Sequence, residues 1–361
     1  MLVGTHKLRH TLLFYQLHSR MQSVLNFFNS KPGKILRHLV SAALVVGFAL
    51  QVDWHRLSAV SGSFRVWPLI WALMLAGLAY ALHAPRWWLL LRAQGLLLSL
   101  GWAQRVTWIG TFYNSFLLGG LGGDAARVFY VCRDAPTQRP GGIAATLLDR
   151  ALGLVVLLCI AAAALVVEAG TLTQQPDLRR ALIIAVTCFF GLGIAVGQLL
   201  WRRAPLRWPA WLRRVLGQKS TVLLTDLLGR VKGSVRPHAY ALGLSFAIWA
   251  LDFVSIWLVA KGAGLDLPFQ KTCIAASVGY AATALPISVG GHGVREGSML
   301  VTLQFFGLIP NGGMGQDRAL LLALGIWAIT VVWSLVGGVV LLSSSPEYKA
   351  RPSPAPSSSQ I

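Results

Sequence analysis

The chain has 361 residues, of which 55% are hydrophobic and only 12% are charged, which is about half the charged fraction of an ordinary soluble domain. Its 32 Lys and Arg residues outnumber 12 Asp and Glu residues, so the formal net charge is +20. A chain with so few charges cannot cover a soluble surface, and a basic nucleic-acid-binding domain would keep its polar coat. The composition therefore excludes both classes and predicts an all-α polytopic membrane protein.

Long uncharged runs predict the membrane-spanning helices, because a helix needs about 20 mostly apolar residues to cross a bilayer. We predict about six to eight transmembrane helices, together with the re-entrant or broken helices described next. In chain order, the runs lie at 37–52, 66–85, 151–167, 181–201, 237–260 and 319–346; the first has a basic end, and the run at 237–260 contains one charge, Asp252.

Three further apolar stretches, at 106–123, 272–294 and 297–316, are interrupted by glycine or proline. They predict broken or re-entrant helices, because irregular backbone at membrane depth requires cover from protein or a watery cavity. The first two stretches share one order of features: a Tyr in an apolar run, a Gly-Gly-X-Gly segment, and then an Arg. Such interruptions at corresponding places in two halves indicate a transporter binding site and suggest an internal repeat.

The basic residues predict the orientation of the chain in the membrane. Residues 1–38 carry six Lys and Arg residues without an acid, and residues 202–236 carry nine with one acid. A Lys and Arg excess marks the cytoplasmic side, so both segments and both termini are expected to be cytoplasmic. The basic loop 202–236 also suits contact with anionic lipid. We predict a basic N-terminal segment (1–34), a transmembrane domain (35–342) and a disordered tail (343–361).

Four acidic residues stand in otherwise apolar or glycine-rich sequence: Asp124, Asp149, Asp252 and Glu296. An ionisable group at membrane depth costs several kcal/mol, and it usually faces a partner or a cavity. These four positions are therefore the first candidates for a functional site.

The first candidate cluster precedes a predicted short helix. Its glycines allow a sharp turn, and a helix starting at Asp124 would have this residue as its N-cap and Arg127 on the same face. Free N–H groups and an arginine make an anion site suited to a phosphate headgroup; the simpler interpretation is that Asp124 caps the helix and pairs with Arg127. The predicted substrate-binding residues here are Tyr113, Asn114, Gly119, Gly120, Gly122, Gly123, Asp124 and Arg127.

The second cluster repeats this pattern, which leads to a hypothesis of cross-pairing between the clusters. Arg295 would pair with Asp124, and Glu296 with Arg127, because adjacent helical residues point about 100° apart. His292 either titrates near neutral pH and couples an ion or proton, or is simply a polar loop residue. The predicted substrate-binding residues here are Gly290, Gly291, Gly293, Arg295 and Glu296.

Two further acidic positions are ambiguous from sequence. Asp149 and Arg150 open the run at 151, where they either bind substrate or form a local ion pair at the interface. Asp252 lies in the middle of a predicted span, where it is either a proton or cation relay or a buried group bonded to a neighbouring Ser or backbone atom.

Three motifs in this order resemble the lysylphosphatidylglycerol synthase transmembrane-domain family, also called flippase-like domain proteins. The motifs run from Gly119 to Arg127, from Asp149 to Leu154, and from Leu285 to Gly297. The resemblance implies a helical bundle with re-entrant helices in the bacterial inner membrane. In bifunctional members this domain moves aminoacylated phosphatidylglycerol between leaflets, while a separate soluble domain attaches the amino acid. Because the chain ends shortly after its last run, we expect a stand-alone member without that soluble domain.

The expected function is therefore a flippase or transporter for a phospholipid or a polyprenyl-linked lipid. One alternative is a membrane-embedded enzyme, such as a polyprenyl-phosphate-dependent glycosyltransferase with Asp124 or Asp149 as general base. Another is a scaffold for a lipid pathway. We expect no nucleic-acid partner, no cofactor and no metal, because the chain has no GxxxxGK[ST] loop, no HExxH motif and only four scattered cysteines.

Overall fold

The computed structural model describes residues 65–116, 122–168, 235–283, 293–309 and 314–343, all within one compact unit, Val60–Ile361. The predicted runs at 37–52 and 181–201 lie outside the described residues, as do the basic N-terminal segment, nearly all of the basic loop and nearly all of the tail. The described part is entirely helical. Its α-helices are Val66–Ala93 (α1), Leu100–Phe116 (α2), Gly122–Asp134 (α3), Arg139–Val167 (α4), Val235–Gly262 (α5), Phe269–Ala282 (α6), Val294–Phe305 (α7) and Met314–Ser343 (α8).

Four of these helices are long and apolar enough to cross a membrane: α1, α4 with the 3₁₀ turn before it, α5 and α8. They match four predicted runs, although two begin or end elsewhere. Helix α1 continues past Pro85 to Ala93, because apolar residues resume after Arg86. Helix α4 begins at Arg139 rather than at residue 151, so Asp149 lies inside it.

The N-terminal half of α1 exposes large side chains and buries small ones, which is the reverse of a helix on a soluble protein. On α1, Trp67 and Trp71 are 75% and 61% exposed, whereas Ala72 and Ala76 are buried. Lipid tails solvate large apolar side chains, while small residues let helices approach closely. This distribution is that of a helix with one face toward lipid and the other toward protein.

Helices α1 and α5 run antiparallel along each other. At one end, the N–H of Arg65 donates to the carbonyl oxygen of Gly262 at 3.0 Å. Farther along, the hydroxyl of Ser255 donates to the carbonyl oxygen of Ala72 at 2.8 Å. Numbers that rise on one helix as they fall on the other define an antiparallel pair.

The order of helix lengths occurs twice in the described chain. Helices α1 to α4 have 28, 17, 13 and 29 residues, and helices α5 to α8 have 28, 14, 12 and 30. In each group the second and third helices are separated at a glycine-containing segment, as the interrupted apolar stretches predict. The third predicted stretch, 297–316, is divided between the C-terminal part of α7, which begins at Val294, the described segment that follows it to residue 309, and the start of α8 at Met314.

Matching contacts follow the first long helix of each group. The indole N–H of Trp88 donates to the carbonyl oxygen of Leu98 at 2.9 Å, ten residues on, and Trp257 does the same to Leu267 at 2.9 Å. A cation covers each ring: Arg92 lies 4.7 Å from the Trp88 ring, and Lys261 lies 4.3 Å from the Trp257 ring. Each residue of the second group lies the same number of positions after its counterpart in the first group: 88 to 257, 92 to 261 and 98 to 267.

The second helix of each group packs against the last helix of the other group: α2 contacts α8, and α6 contacts α4. The hydroxyls of Ser115 and Ser334 hydrogen-bond at 2.5 Å between α2 and α8. Close by, a Cβ added to Gly337 would overlap the backbone carbonyl oxygen of Trp108. The two groups are therefore interlocked rather than placed side by side.

We expect Gly337→Ala to destabilise the α2–α8 contact by about 1–3 kcal/mol, because a backbone carbonyl cannot move aside as a side chain can. The measurement is thermal unfolding of the purified chain in detergent. Gly243→Ala is the matched control, because a Cβ on Gly243 of α5 meets nothing within 4 Å; it should stay within about 1 kcal/mol of wild type. Equal stability of the two variants would show that this contact does not restrain the helices.

Candidate functional site

The centre of the candidate site is the carboxylate of Asp149, which forms a bidentate ion pair with Arg86. Arg86 Nε donates to Asp149 Oδ1 at 2.7 Å, and Nη2 donates to Oδ2 at 3.0 Å. The remaining nitrogen, Nη1, donates to Ser245 Oγ at 3.1 Å. Arg86 and Asp149 are 4% and 3% exposed. This one ion pair therefore ties α1, α4 and α5 together inside the bundle.

A second arginine completes the cluster. Arg127 Nη1 on α3 donates to Asp149 Oδ2 at 3.0 Å, and its guanidinium lies 5.3 Å from the Trp87 ring. Two arginines around one carboxylate leave one net positive charge. Because Arg86 alone balances Asp149, that excess belongs to Arg127. Among the described residues Arg127 makes no further hydrogen bond, so most of its five N–H groups are available to a ligand.

Close backbone contact between α2 and α3 brings Arg127 to this position. A Cβ added to Gly123 would lie 2.6 Å from the carbonyl oxygen of Gly110. Only glycine allows two backbones to approach this closely. The second group uses the same device, because a Cβ added to Gly279 on α6 would lie 2.7 Å from the carbonyl oxygen of Arg295 on α7.

Asp124 takes part in a different ion pair from the predicted ones. Helix α3 begins at Gly122, so Asp124 lies in its first turn and is not its N-cap. Its carboxylate accepts a hydrogen bond from Arg150 Nη1. Because Arg150 is on α4, this contact fastens the start of α3 to α4. The side chain of Arg150 is 40% exposed, so the pair is only partly buried.

Arg295 and Glu296 pair with each other at the start of α7. Arg295 Nη2 and Nε donate to Glu296 Oε1 at 2.6 and 3.0 Å, and the N–H of Gly293 donates to Glu296 Oε2 at 2.8 Å. Both side chains are nearly buried. Burial alone would raise the pKa of the Glu296 carboxyl, but the Arg295 guanidinium and backbone hydrogen bonds outweigh it and lower that pKa. This pair is charge-balanced, unlike the cluster at Asp149.

The structure therefore contradicts the hypothesis of cross-pairing between the clusters. Arg295 contacts Glu296 rather than Asp124, and Arg127 contacts Asp149 rather than Glu296. The local pair of Asp149 with Arg150 is also absent, since their side chains leave α4 in different directions and meet separate partners. Arg127, Asp149 and Arg150 found partners on other helices by tertiary packing, which spacing along the chain does not reveal, whereas Arg295 pairs with its neighbour in sequence.

A cleft lies between α1, α5, α6 and α8. Its walls are mostly apolar, but the carboxylate of Asp252 and the hydroxyls of Tyr80 and Tyr280 line it. Arg295 adjoins it, because Arg295 Nη2 donates to the lining residue Thr330 at 3.1 Å and its guanidinium lies 5.6 Å from the Tyr280 ring. The remaining lining residues are Ala76, Ser255, Ile256, Val259, Ile326 and Ile329.

Several predicted site residues lie elsewhere or outside the described residues. Asn114 is exposed near the end of α2, and Tyr113 packs edge-on against Phe112. Gly122 and Gly123 are buried at the start of α3. The positions outside the described residues are Gly119, Gly120, Gly290, Gly291 and His292.

Sequence reasoning missed Arg86, the main partner of Asp149. The predicted span ends at Pro85, so Arg86 falls outside it, and the candidate charges were acidic residues and the arginines close to them in sequence. The available signal was that Trp87 to Leu91 continue the apolar pattern, so Arg86 is a charge inside an apolar helix. Tyr80 and Thr330 gave no signal, since isolated Tyr and Thr residues are common in membrane helices.

These features define a multi-pass helical membrane protein with charged clusters inside its bundle. The family described as lysylphosphatidylglycerol synthase TM region matches residues 34–341, and the chain belongs to that family. The resemblance expected from the three motifs is thereby confirmed. Comparison with curated proteins gives no match.

We expect Arg86→Met to lower the free energy of unfolding by about 3–5 kcal/mol, because it leaves a buried carboxylate without its main partner. Arg150→Met removes one partner of a partly exposed pair and should cost about 0–1 kcal/mol. Thermal and denaturant unfolding of both variants in one detergent measures the difference. Similar losses would mean that Asp149 is well solvated in spite of its surroundings.

Proposed function

We propose that this protein moves a phospholipid or a polyprenyl-linked lipid between the leaflets of a bacterial inner membrane, without changing it chemically. The observation that carries this proposal is the net positive cluster of Arg86, Asp149 and Arg127 inside an apolar bundle. Charge inside hydrocarbon is costly, so an excess charge with unused donors favours a ligand of opposite sign. The phosphate group common to these lipids has that charge and accepts several hydrogen bonds from a guanidinium.

In this proposal Arg127 holds the phosphate while Arg86 and Asp149 form its support. Arg86 has all three nitrogens directed at Asp149 and Ser245, and Nη2 also lies 3.3 Å from His83 Nδ1, so its guanidinium is held in place at each nitrogen. Arg127 uses one nitrogen on Asp149 and rests on Trp87, which orients its plane and leaves its other donors free. A guanidinium anchored at one corner can bind a passing phosphate and release it again.

The helix pattern supports transport through an inverted repeat. The antiparallel pair α1 and α5, the matching contacts on both, and the interlocked second helices are what two halves of opposite orientation would produce. In this arrangement the short helices α3 and α7 are the inner arms of re-entrant segments, and each delivers an arginine to the interior. Both termini and the basic loop face the cytoplasm, where the loop contacts anionic lipid.

The geometry gives less support to a lipid-modifying enzyme. A general base must hold a free lone pair near the reacting group. Asp124 and Asp149, the two candidates for that role, are each engaged by arginines. Hydrogen bonds from arginine therefore already occupy oxygens of both carboxylates.

The test is reconstitution of the full chain in liposomes containing a fluorescent phospholipid, with leaflet exchange followed by quenching of the outer leaflet. Arg127→Gln removes the positive charge and most of the spare donors but leaves the neutral pair of Arg86 and Asp149, so this variant should fold. We expect it to slow exchange about ten-fold or more, because a charge-assisted hydrogen bond contributes about 1.5–3 kcal/mol. Mass spectrometry of the lipids establishes whether any has been altered.

Arg150→Gln is the matched control, because it removes an arginine of the neighbouring, partly exposed pair and should leave exchange nearly unchanged. Exchange by wild type at the rate of protein-free liposomes would refute the transport proposal. A chemically altered lipid would favour the enzyme, and equal slowing by both variants would show that the effect is not specific to Arg127.

A further inference from the structure

The cleft between α1, α5, α6 and α8 contains a carboxylate that the anion-binding cluster does not use. Asp252 lines this cleft in the middle of α5, and its side chain is partly accessible from it. Within the described residues nothing donates a hydrogen bond to Asp252, and no basic group forms an ion pair with it. A carboxylate in an apolar cleft without a partner is costly, so its surroundings favour a bound cation.

The groups that face Asp252 explain why it has no protein partner. The positive charges that act on it are those of Arg295 and Arg86. Arg295 is engaged by Glu296 and Thr330, and Arg86 by Asp149 and Ser245. From α1 and α6 the facing groups are Tyr80 and Tyr280. From α8 the cleft is lined by Thr330, whose hydroxyl donates to the carbonyl oxygen of Ile326 and accepts from Arg295.

The first group of helices has an arginine, Arg86, at a position where the second group has a serine, Ser255. The step along the chain that relates Trp88 to Trp257 also relates His83 to Asp252 and Arg86 to Ser255. In the first half, Arg86 lies close to His83, with 3.3 Å between Nη2 and Nδ1, and supplies the charge that balances Asp149. In the second half the equivalent Ser255 donates to the carbonyl oxygen of Ala72 instead. Asp252 thus occupies a position without the arginine of the other half.

We propose that this cleft is a site for a small monovalent cation, H⁺ or Na⁺, with the carboxylate of Asp252 as its ligand. The hydroxyl oxygens of Tyr80 and Tyr280 provide further neutral oxygen ligands around it. On the basis of the proposed transport function, cation occupancy of this cleft links lipid movement to a cation gradient. The cleft joins helices of both halves, so an ion bound there acts on elements that must move relative to each other.

The binding part is tested by labelling with dicyclohexylcarbodiimide, a hydrophobic reagent that modifies protonated carboxyl groups, on the purified full chain in detergent. Peptide mapping by mass spectrometry should show labelling of Asp252 rising about five-fold or more from about pH 9 to about pH 5. If Na⁺ is the ion, NaCl in place of choline chloride should slow the labelling, and if H⁺ is the ion it should not. Asp149, held by two arginines, is the internal control and should stay unlabelled.

The linkage is tested in the liposomes used for leaflet exchange, under an imposed pH or Na⁺ gradient. The gradient should shift the final distribution of the fluorescent lipid between leaflets for wild type. Asp252→Asn, which keeps the size of the side chain, should still exchange lipid but reach the same distribution with and without the gradient. Unchanged melting temperature and elution volume of the Asn variant verify that it is folded.

The outcomes separate this inference from the transport proposal. Labelling of Asp252 that responds to neither pH nor Na⁺ overturns the cation site, even if lipid exchange is normal. A wild-type distribution that is insensitive to both gradients overturns the linkage. Absence of any leaflet exchange, together with normal responsive labelling, overturns the transport function and leaves the cation site standing.

Discussion

The architecture depends on the cost of placing the Asp149 carboxylate inside an apolar bundle. An isolated charge there would be neutralised or expelled. The charge of Arg86 balances that of the carboxylate, and the charge of Arg127 is in excess. Arg86 comes from α1 and Arg127 from α3, while Asp149 is on α4. Satisfying this one group therefore fixes the relative placement of three helices, and the excess charge that remains is the chemical basis of the proposed phosphate site.

The two halves of the described bundle share helices and contacts but not charge. The cluster of the first half has one arginine more than its carboxylate requires, whereas in the second half Arg295 and Glu296 balance each other and Asp252 stands apart. A common backbone plan thus holds an extra buried arginine in one half and, in the other, a carboxylate, Asp252, without a partner among the described residues. If the scaffold evolved by duplication, the divergence lies in charges at equivalent positions, such as Arg86 and Ser255, rather than in the helices.

Close packing makes both charge arrangements possible. Gly123 and Gly279 allow the short helices α3 and α7 to approach their neighbours at backbone distance. This close approach brings Arg127 on α3 and Arg295 on α7 into the interior of the bundle. Small residues on the long helices likewise allow close helix–helix contact. In hydrocarbon, burying a large apolar side chain gains no hydrophobic free energy.

The amino-acid sequence by itself determined the class of protein, four spans that the structure contains, the glycine interruptions and the family. These follow from hydropathy and backbone freedom, which are local properties of consecutive residues. It also singled out four acidic residues and two arginines as unusual: Asp124, Asp149, Asp252, Glu296, Arg127 and Arg295. Only the tertiary structure decided their partners: Arg86 with Asp149, Arg150 with Asp124, and no described partner for Asp252. Coulomb attraction acts through space between residues far apart in sequence, so pairing depends on how helices meet and cannot be derived from spacing along one chain.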